Sequence, residues 1–254
     1  MIDDSRFFII GANGQLGIAL RKKYPKAQFA DKTELDITDR QSVESFDWSG
    51  ISTILNTAAF TNVDGAETPE GRVAAWKVNA SAVANLTRIC RAHDITLVHI
   101  SSDYVFDGTR EPHFESEDLS PLSVYGASKA AGDLLVEQLD KFYLLRTTWV
   151  IGEGKNFVRT MLGLAEKNIS PTVVNDQVGR LTFTSELGRI IDHLLSPFKI
   201  ERFISSKKSR IFFILSCDCG VRRIYLARLS VLPISSLIKP FSAKIGRASC
   251  RERV

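Results

Sequence analysis

Three glycines set between an apolar run and an amphipathic stretch constrain this chain more than any other feature. Phe7 to Ile10 reads as a short strand, Gly11-Ala12-Asn13-Gly14-Gln15-Leu16-Gly17 as the turn behind it, and Gln15 to Tyr24 as a helix opening at that turn. Gly11 permits a tight turn, Gly14 lets backbone N–H groups approach a pyrophosphate, and Gly17 lets the helix pack closely on the strand. The helix mouth adds partial positive charge. Asn13, Gln15 and Leu16 share the turn and are candidate cofactor contacts with the three glycines. Plain turn glycines are the competing reading, and the strand–turn–helix context counts against it.

The same alternation continues to His193. Strands are predicted at Phe7 to Ile10, Ala27 to Ala30, Thr53 to Asn56, Leu97 to Ser101 and Phe142 to Arg146. Helices are predicted at Gln15 to Tyr24, Arg40 to Phe46, Pro69 to Ala92 and Val124 to Leu139, where apolar residues recur at three and four. Right-handed crossovers then give an α/β fold, a Rossmann-type doubly wound parallel sheet.

Charge separates a tail from this body. Residues 1 to 198 carry 20 Lys and Arg against 26 Asp and Glu, whereas residues 199 to 254 carry 13 against 3. The overall charge of +4 therefore belongs to the tail and does not mark the body as a nucleic-acid binder. Beyond Phe198 neither the strand nor the helix period persists. The last eleven residues, Lys244 to Val254, resemble the translation of a sequencing adapter, and residues 199 to 243 read as out of frame. The alternative is a basic tail for a membrane or nucleic acid. Cys217 and Cys219 lack zinc spacing and Cys90 reads as a buried apolar side chain, so no metal site is expected. Met1 to Arg6 is acidic and the apolar run after it is too short for a signal peptide or a membrane span, which makes the cytoplasm the expected location.

Asp31 and Lys32 follow the second strand, where an adenosine ribose would be held. An acid there suits a free 2′-hydroxyl and a lysine suits a 2′-phosphate, so NADH and NADPH both stay open. Asp36 and Ile37 are placed either for the adenine or, in the case of Asp36, for a turn before a helix capped by Thr38. Tyr125 and Lys129 stand four apart at the start of a helix, and a cation beside a phenol favours its ionised form. Ser102, in the segment after the fourth strand, can bond a substrate carbonyl oxygen at the carboxyl edge of the sheet.

Six ordered segments then resemble the dTDP-4-dehydrorhamnose reductase family of extended short-chain dehydrogenases/reductases: the glycine turn, Leu35 to Asp39, Asn56 to Glu67, Ser101 to Gly108, Tyr125 to Lys129 and Arg146 to Gly152. The likeness runs from about Phe7 to about Leu195. It implies NADPH- or NADH-dependent reduction of the 4-keto group of dTDP-4-dehydro-L-rhamnose to dTDP-L-rhamnose. Ser102, Tyr125 and Lys129 match the family's hydroxyl donor, general acid and supporting lysine. Ala58, Ala59 and Thr61 would line the cofactor on the third strand, with Tyr125 and Lys129 also touching it. Tyr104, Trp149 and Gln177 would approach the sugar nucleotide, Trp149 having a buried aromatic anchor as its rival reading.

The resemblance divides the chain into an NAD(P)-binding domain at 1–150, a small, incomplete substrate lobe with a returning helix at 151–198, and the anomalous tail at 199–254. It leaves room for Mg²⁺, as in some relatives, and for a homodimer, with no nucleic-acid or membrane partner. Ser102, Phe60 and Leu181 stand where that family commonly has Thr, Tyr and Pro. The alternatives are a nucleotide-sugar epimerase or dehydratase of the same superfamily, a non-catalytic regulatory subunit that binds cofactor, and a chain that as it stands catalyses nothing.

Overall fold

The computed structural model describes residues 2–110, 113–114, 116–173, 179, 181–196 and 212–214. Strands β1 (Phe7–Ile10), β2 (Gln28–Ala30), β3 (Thr53–Asn56), β4 (Thr96–Ser102), β5 (Phe142–Thr147) and β8 (Phe212–Ile214) form one sheet in the order β2-β1-β3-β4-β5-β8. Every pairing in it is parallel. The crossovers run through α1 (Gln15–Lys23), α2 (Arg40–Ser45), α3 (Pro69–Trp76), α4 (Ala82–Ala92) and α5 (Val124–Val136). Strand order reverses at β1, between β2 and β3, and that is where an open parallel sheet parts its crossovers and leaves a crevice.

Both faces of the sheet are covered, as its nearly continuous apolar strands require. Phe8, Ile54, Leu97 and Leu144 pack with Val83, Leu86 and Val136, on the side of α4 and α5. Ile9, Leu55, Val98 and Leu145 pack with Leu16 and Leu20 of α1 and Leu187 and Ile191 of α7 (Thr184–Leu195). A buried Leu contributes about 1.5–3 kcal/mol by leaving water, so the two layers carry most of the favourable free energy.

Local sequence sets where the helices begin. Thr68 Oγ1 accepts from Gly71 N at 3.1 Å with Pro69 in the first turn, and Ser123 Oγ accepts from Gly126 N at 3.0 Å ahead of α5. Helix α2 is capped by Asp39, which accepts from Gln41 N at 3.0 Å, and not by Thr38. Thr38 instead donates N–H and hydroxyl to Asp36, which leaves the next carboxylate to face the helix. The long helix expected over Pro69 to Ala92 contains a π-helical turn at Lys77–Ser81, which separates α3 from α4. Such turns are rare and concentrate at functional sites.

Beyond β5 the chain forms β6 (Val150–Ile151), α6 (Phe157–Glu166) and β7 (Thr182–Phe183), then α7. Strands β6 and β7 pair as a separate two-stranded sheet. Although no periodic element was expected after Phe198, the apolar run there supplies β8, which extends the main sheet beside β5.

Candidate active site

The carboxyl ends of β1, β3 and β4 open onto a cavity of about 600 Å³, and its lining joins most of the residues expected from sequence. The glycine turn forms one wall through Gly11, Asn13, Gly14, Gln15 and Leu16. Gly11 has φ +77°, and a Cβ there would lie 2.7 Å from Ala58 N, so the turn and the chain after β3 touch without room for a side chain. Gly17 does not face the cavity: a Cβ on it would meet Gly11 O at 2.2 Å, consistent with the packing role expected of it. Thr57 locks the contact by donating its hydroxyl to Ile10 O at 2.7 Å. Ala58, Ala59 and Thr61 therefore line the cavity from the loop just past β3, one step beyond the strand that was expected to carry them.

At the far end Lys32, Asp36 and Ile37 line the cavity and Asp31 does not. The Asp31 carboxylate accepts from the Thr33 hydroxyl at 2.6 Å and from Thr33 N at 2.8 Å, bonds that hold it below the ordinary carboxylate range, and it also accepts from Asn13 Nδ2. Asp36 combines both of its expected roles, since it builds the turn with Thr38 and also faces the cavity.

At the near end stand Tyr125 and Lys129, one turn apart on α5. A Cβ at position 126 would sit 2.2 Å from Tyr104 O, so only glycine lets α5 approach the segment after β4 this closely. That approach brings the Tyr125 ring edge-on to Tyr104, with centroids 5.6 Å apart, and the Ser102 hydroxyl up to the phenol. Ser102 itself is buried, donates to Asp103 Oδ1 at 3.0 Å and accepts from Tyr104 N at 3.3 Å; its neighbour Ser101 is the one that lines the cavity. Ser102 thus shapes the turn after β4 as well as facing Tyr125.

Electrostatics differ from the sequence expectation in one respect. Burial pushes the Tyr125 phenol up to about 12, the Ser102 hydroxyl opposes this, and the carboxylate of Asp103 adds to it. No lowering by Lys129 emerges. The Lys129 ammonium donates to Ile100 O at 2.7 Å, and burial drives its own pKa down to about 8, with Asp133 one turn on pulling it back up. The phenol stays protonated at neutral pH.

Beneath this pair lies a buried polar layer that sequence reasoning missed. Asp133, fully buried, bonds Arg146 Nε at 2.9 Å, and that guanidinium lies 5.2 Å from the Phe106 ring. Asn56 and His99 meet at 3.0 Å between β3 and β4, and burial keeps His99 well below its usual pKa, hence neutral. The π turn aims Asn79 inward: it accepts from Phe60 N at 2.9 Å and donates to Phe60 O at 3.1 Å and Ser128 Oγ at 3.0 Å. One amide thereby ties the loop carrying Ala58 to Thr61 to the helix carrying Tyr125 and Lys129. The only signal in the sequence was an Asn inside an otherwise amphipathic helix.

Three expected substrate contacts fare differently. Tyr104 and Trp149 are half-buried and lie outside the cavity wall, Trp149 edge-on to Phe157 at 5.1 Å with φ +43°. Gln177 lies outside the described residues. Among the described residues no group of three or more His, Cys, Asp or Glu is gathered to hold a metal, so the Mg²⁺ implied by resemblance finds no donor set there.

Residues 5–212 match the family described as RmlD substrate binding domain. The chain is 39% identical over 197 residues to a dTDP-4-dehydrorhamnose reductase of Aggregatibacter actinomycetemcomitans, covering 74% of this chain and 66% of that one. It is 40% identical over 195 residues to a dTDP-4-keto-6-deoxy-D-glucose reductase of Streptomyces niveus, covering 73% and 67%. The chain thus spans about two thirds of the length of these curated relatives. Among solved structures, a dTDP-4-dehydrorhamnose reductase of Clostridium acetobutylicum superposes with a TM-score of 0.70 at 34% identity, over 85% of this chain and 74% of that one. One from Bacillus anthracis, in complex with NADP, gives 0.70 at 33%, over 82% and 73%. The matched region runs past the boundary near Leu195 expected from sequence and takes in the start of β8. With residues 5–212 matched by the family model and curated relatives 39–40% identical over some two hundred residues, the chain belongs to the dTDP-4-dehydrorhamnose reductase family.

Proposed function

We propose that the protein reduces the 4-keto group of a dTDP-4-keto-6-deoxyhexose with NADPH or NADH, the sugar being dTDP-4-dehydro-L-rhamnose and the product dTDP-L-rhamnose. The observation that carries this reading is a single cavity lined by the glycine turn, Ala58 to Thr61, Tyr125 and Lys129, with Ser102 set against the phenol. Residues 1–150 hold the cofactor and residues 151–198 form the start of the sugar-nucleotide side.

The cofactor supplies a hydride when bound, and the residues do the rest. Gly11, Asn13, Gly14, Gln15 and Leu16 cradle the pyrophosphate at the mouth of α1, backed by Gly17. Ala58, Ala59 and Thr61 floor the middle of the cavity, and Asp36 and Ile37 hold the adenine. Tyr125 keeps its proton until negative charge develops on the substrate oxygen and then donates it. Ser102 orients that oxygen, and Lys129 holds the cofactor ribose. Tyr104, Trp149 and Gln177 border the sugar nucleotide.

Lys32 faces the cavity while Asp31 is occupied by Thr33 and Asn13, an arrangement that favours a 2′-phosphate over a free 2′-hydroxyl. NADPH is therefore the preferred reductant. No helix among the described residues is long and apolar enough to cross a membrane, and the proposed work site is the cytoplasm. The proposed assembly is a homodimer, which sedimentation would reveal.

The test is to supply the 4-keto sugar nucleotide with NADPH and follow both. Stoichiometric loss of NADPH with formation of the 4-hydroxy sugar supports reduction. A changed sugar with the cofactor regenerated would instead indicate an epimerase or dehydratase, and cofactor binding without any turnover a regulatory subunit or an incomplete enzyme.

A further inference from the structure

Gln15 is expected to serve the cofactor through its place in the glycine turn, yet its side chain is engaged elsewhere. Its Oε1 accepts from Gly152 N at 2.9 Å and from Asn156 Nδ2 at 3.1 Å, two residues more than 130 positions along the chain. Asn156 also donates to Gly152 O at 3.0 Å and caps α6 by accepting from Arg159 N at 3.0 Å. The loop 152–156 is thus closed on itself and fastened to the first residue of α1. Gly154, with φ +100°, would carry a Cβ 3.8 Å from Gln15 Cγ, so the loop lies directly against the turn.

Glu153, Gly154 and Lys155 of this loop line the same cavity as Gly11 and Gly14. Their two charges are not equivalent. Glu153 is ion-paired with Lys22 of α1, which neutralises it, whereas Lys155 has no acidic partner among the described residues. Of the other two cations on the cavity wall, Lys32 stands beside β2 at one end and Lys129 is tied to Ile100 O at the other. Lys155 is the cation next to the glycine turn itself.

We infer that Lys155 is a further cofactor-binding residue, which meets the pyrophosphate from the loop packed beside the glycine turn, and that Gln15 is the positioning residue that holds its loop there. The inference rests on the dinucleotide reading of the cavity. Backbone N–H groups at a helix mouth leave the outer phosphate oxygens free, and an ammonium on a fastened loop meets them as a charge-assisted donor. The same fastening joins the cofactor turn to the segment that begins the sugar-nucleotide side.

Fluorescence titration of the full chain with NADPH, ADP and adenosine tests this. Lys155→Ala is expected to weaken NADPH and ADP binding about tenfold or more, to leave adenosine unchanged, and to be restored by Lys155→Arg. Gln15→Leu, which releases the loop without altering charge, is expected to show the same selectivity for diphosphates. Equal NADPH and ADP affinity in wild type and Lys155→Ala, or an equal loss for adenosine, would overturn the inference while leaving the cofactor site intact. Failure of wild type to bind NADPH at all would overturn the dinucleotide reading and this inference with it. Because Lys155 is solvent-exposed, its substitution leaves the fold in place, and a circular dichroism spectrum verifies this.

Discussion

The cofactor half and the segment after β5 are built from similar sequence patterns but are anchored very differently. In the first, Leu20 of α1 and Leu86 of α4 are completely buried, each between a helix and the sheet. In the second, α6 is as amphipathic in sequence as α4, yet none of its residues is buried and Leu162 remains 59% exposed. The lesson is that an apolar stripe marks a face made to be covered without saying what covers it. Relatives about half as long again as the aligned region supply more chain than is described here, and the apolar side of α6 is a surface such chain could cover.

The largest effect that would sharpen the contrast is chemical. Tyr125→Phe keeps the ring packed on Tyr104 but removes the proton donor, and turnover with the 4-keto sugar nucleotide should fall about 10²- to 10⁴-fold. Next comes packing. Leu20→Ala should cost about 2–5 kcal/mol in urea unfolding, whereas Leu162→Ala should stay within about 0.5 kcal/mol. A large loss at Leu162 would erase the distinction between the halves. Lys32→Ala should weaken NADPH about tenfold and NADH hardly at all, as titration of each would show.

The smallest effect concerns charge. Lys129 has a folded pKa depressed to about 8 by burial, so it is cationic below that pH and neutral above it. A depressed amine pKa means that its charged form is disfavoured by folding, so the penalty is fully present below about pH 8 and fades as pH rises from there toward the unfolded value. Asp133 opposes the shift, and Asp133→Asn should therefore lower the Lys129 titration midpoint further, read by NMR at the side-chain nitrogen.

What could be read from sequence was whatever depends on period and on glycine. Five strands of the sheet and the glycine turn stand within a residue or two of where the apolar runs put them, because each strand is a short apolar block bounded by turn residues. The missed features depend on contacts far along the chain. The π turn at Lys77–Ser81 adds one residue to a helix without disturbing its composition, and Asn79 gains its meaning only from Phe60 and Ser128. Likewise Gln15 looked like a phosphate-turn residue because nothing local announces Gly152 and Asn156. Asp31 failed as a cavity residue for a local reason: Thr33, two residues on, offers it both an N–H and a hydroxyl.

The most direct test of the central claim is isotopic. With NADPH carrying deuterium at the transferable C4 position and the dTDP-4-keto sugar as acceptor, the account predicts deuterium at sugar C4 in the product, seen by NMR, and its loss from the oxidised cofactor. Product formed without deuterium at that carbon would contradict it.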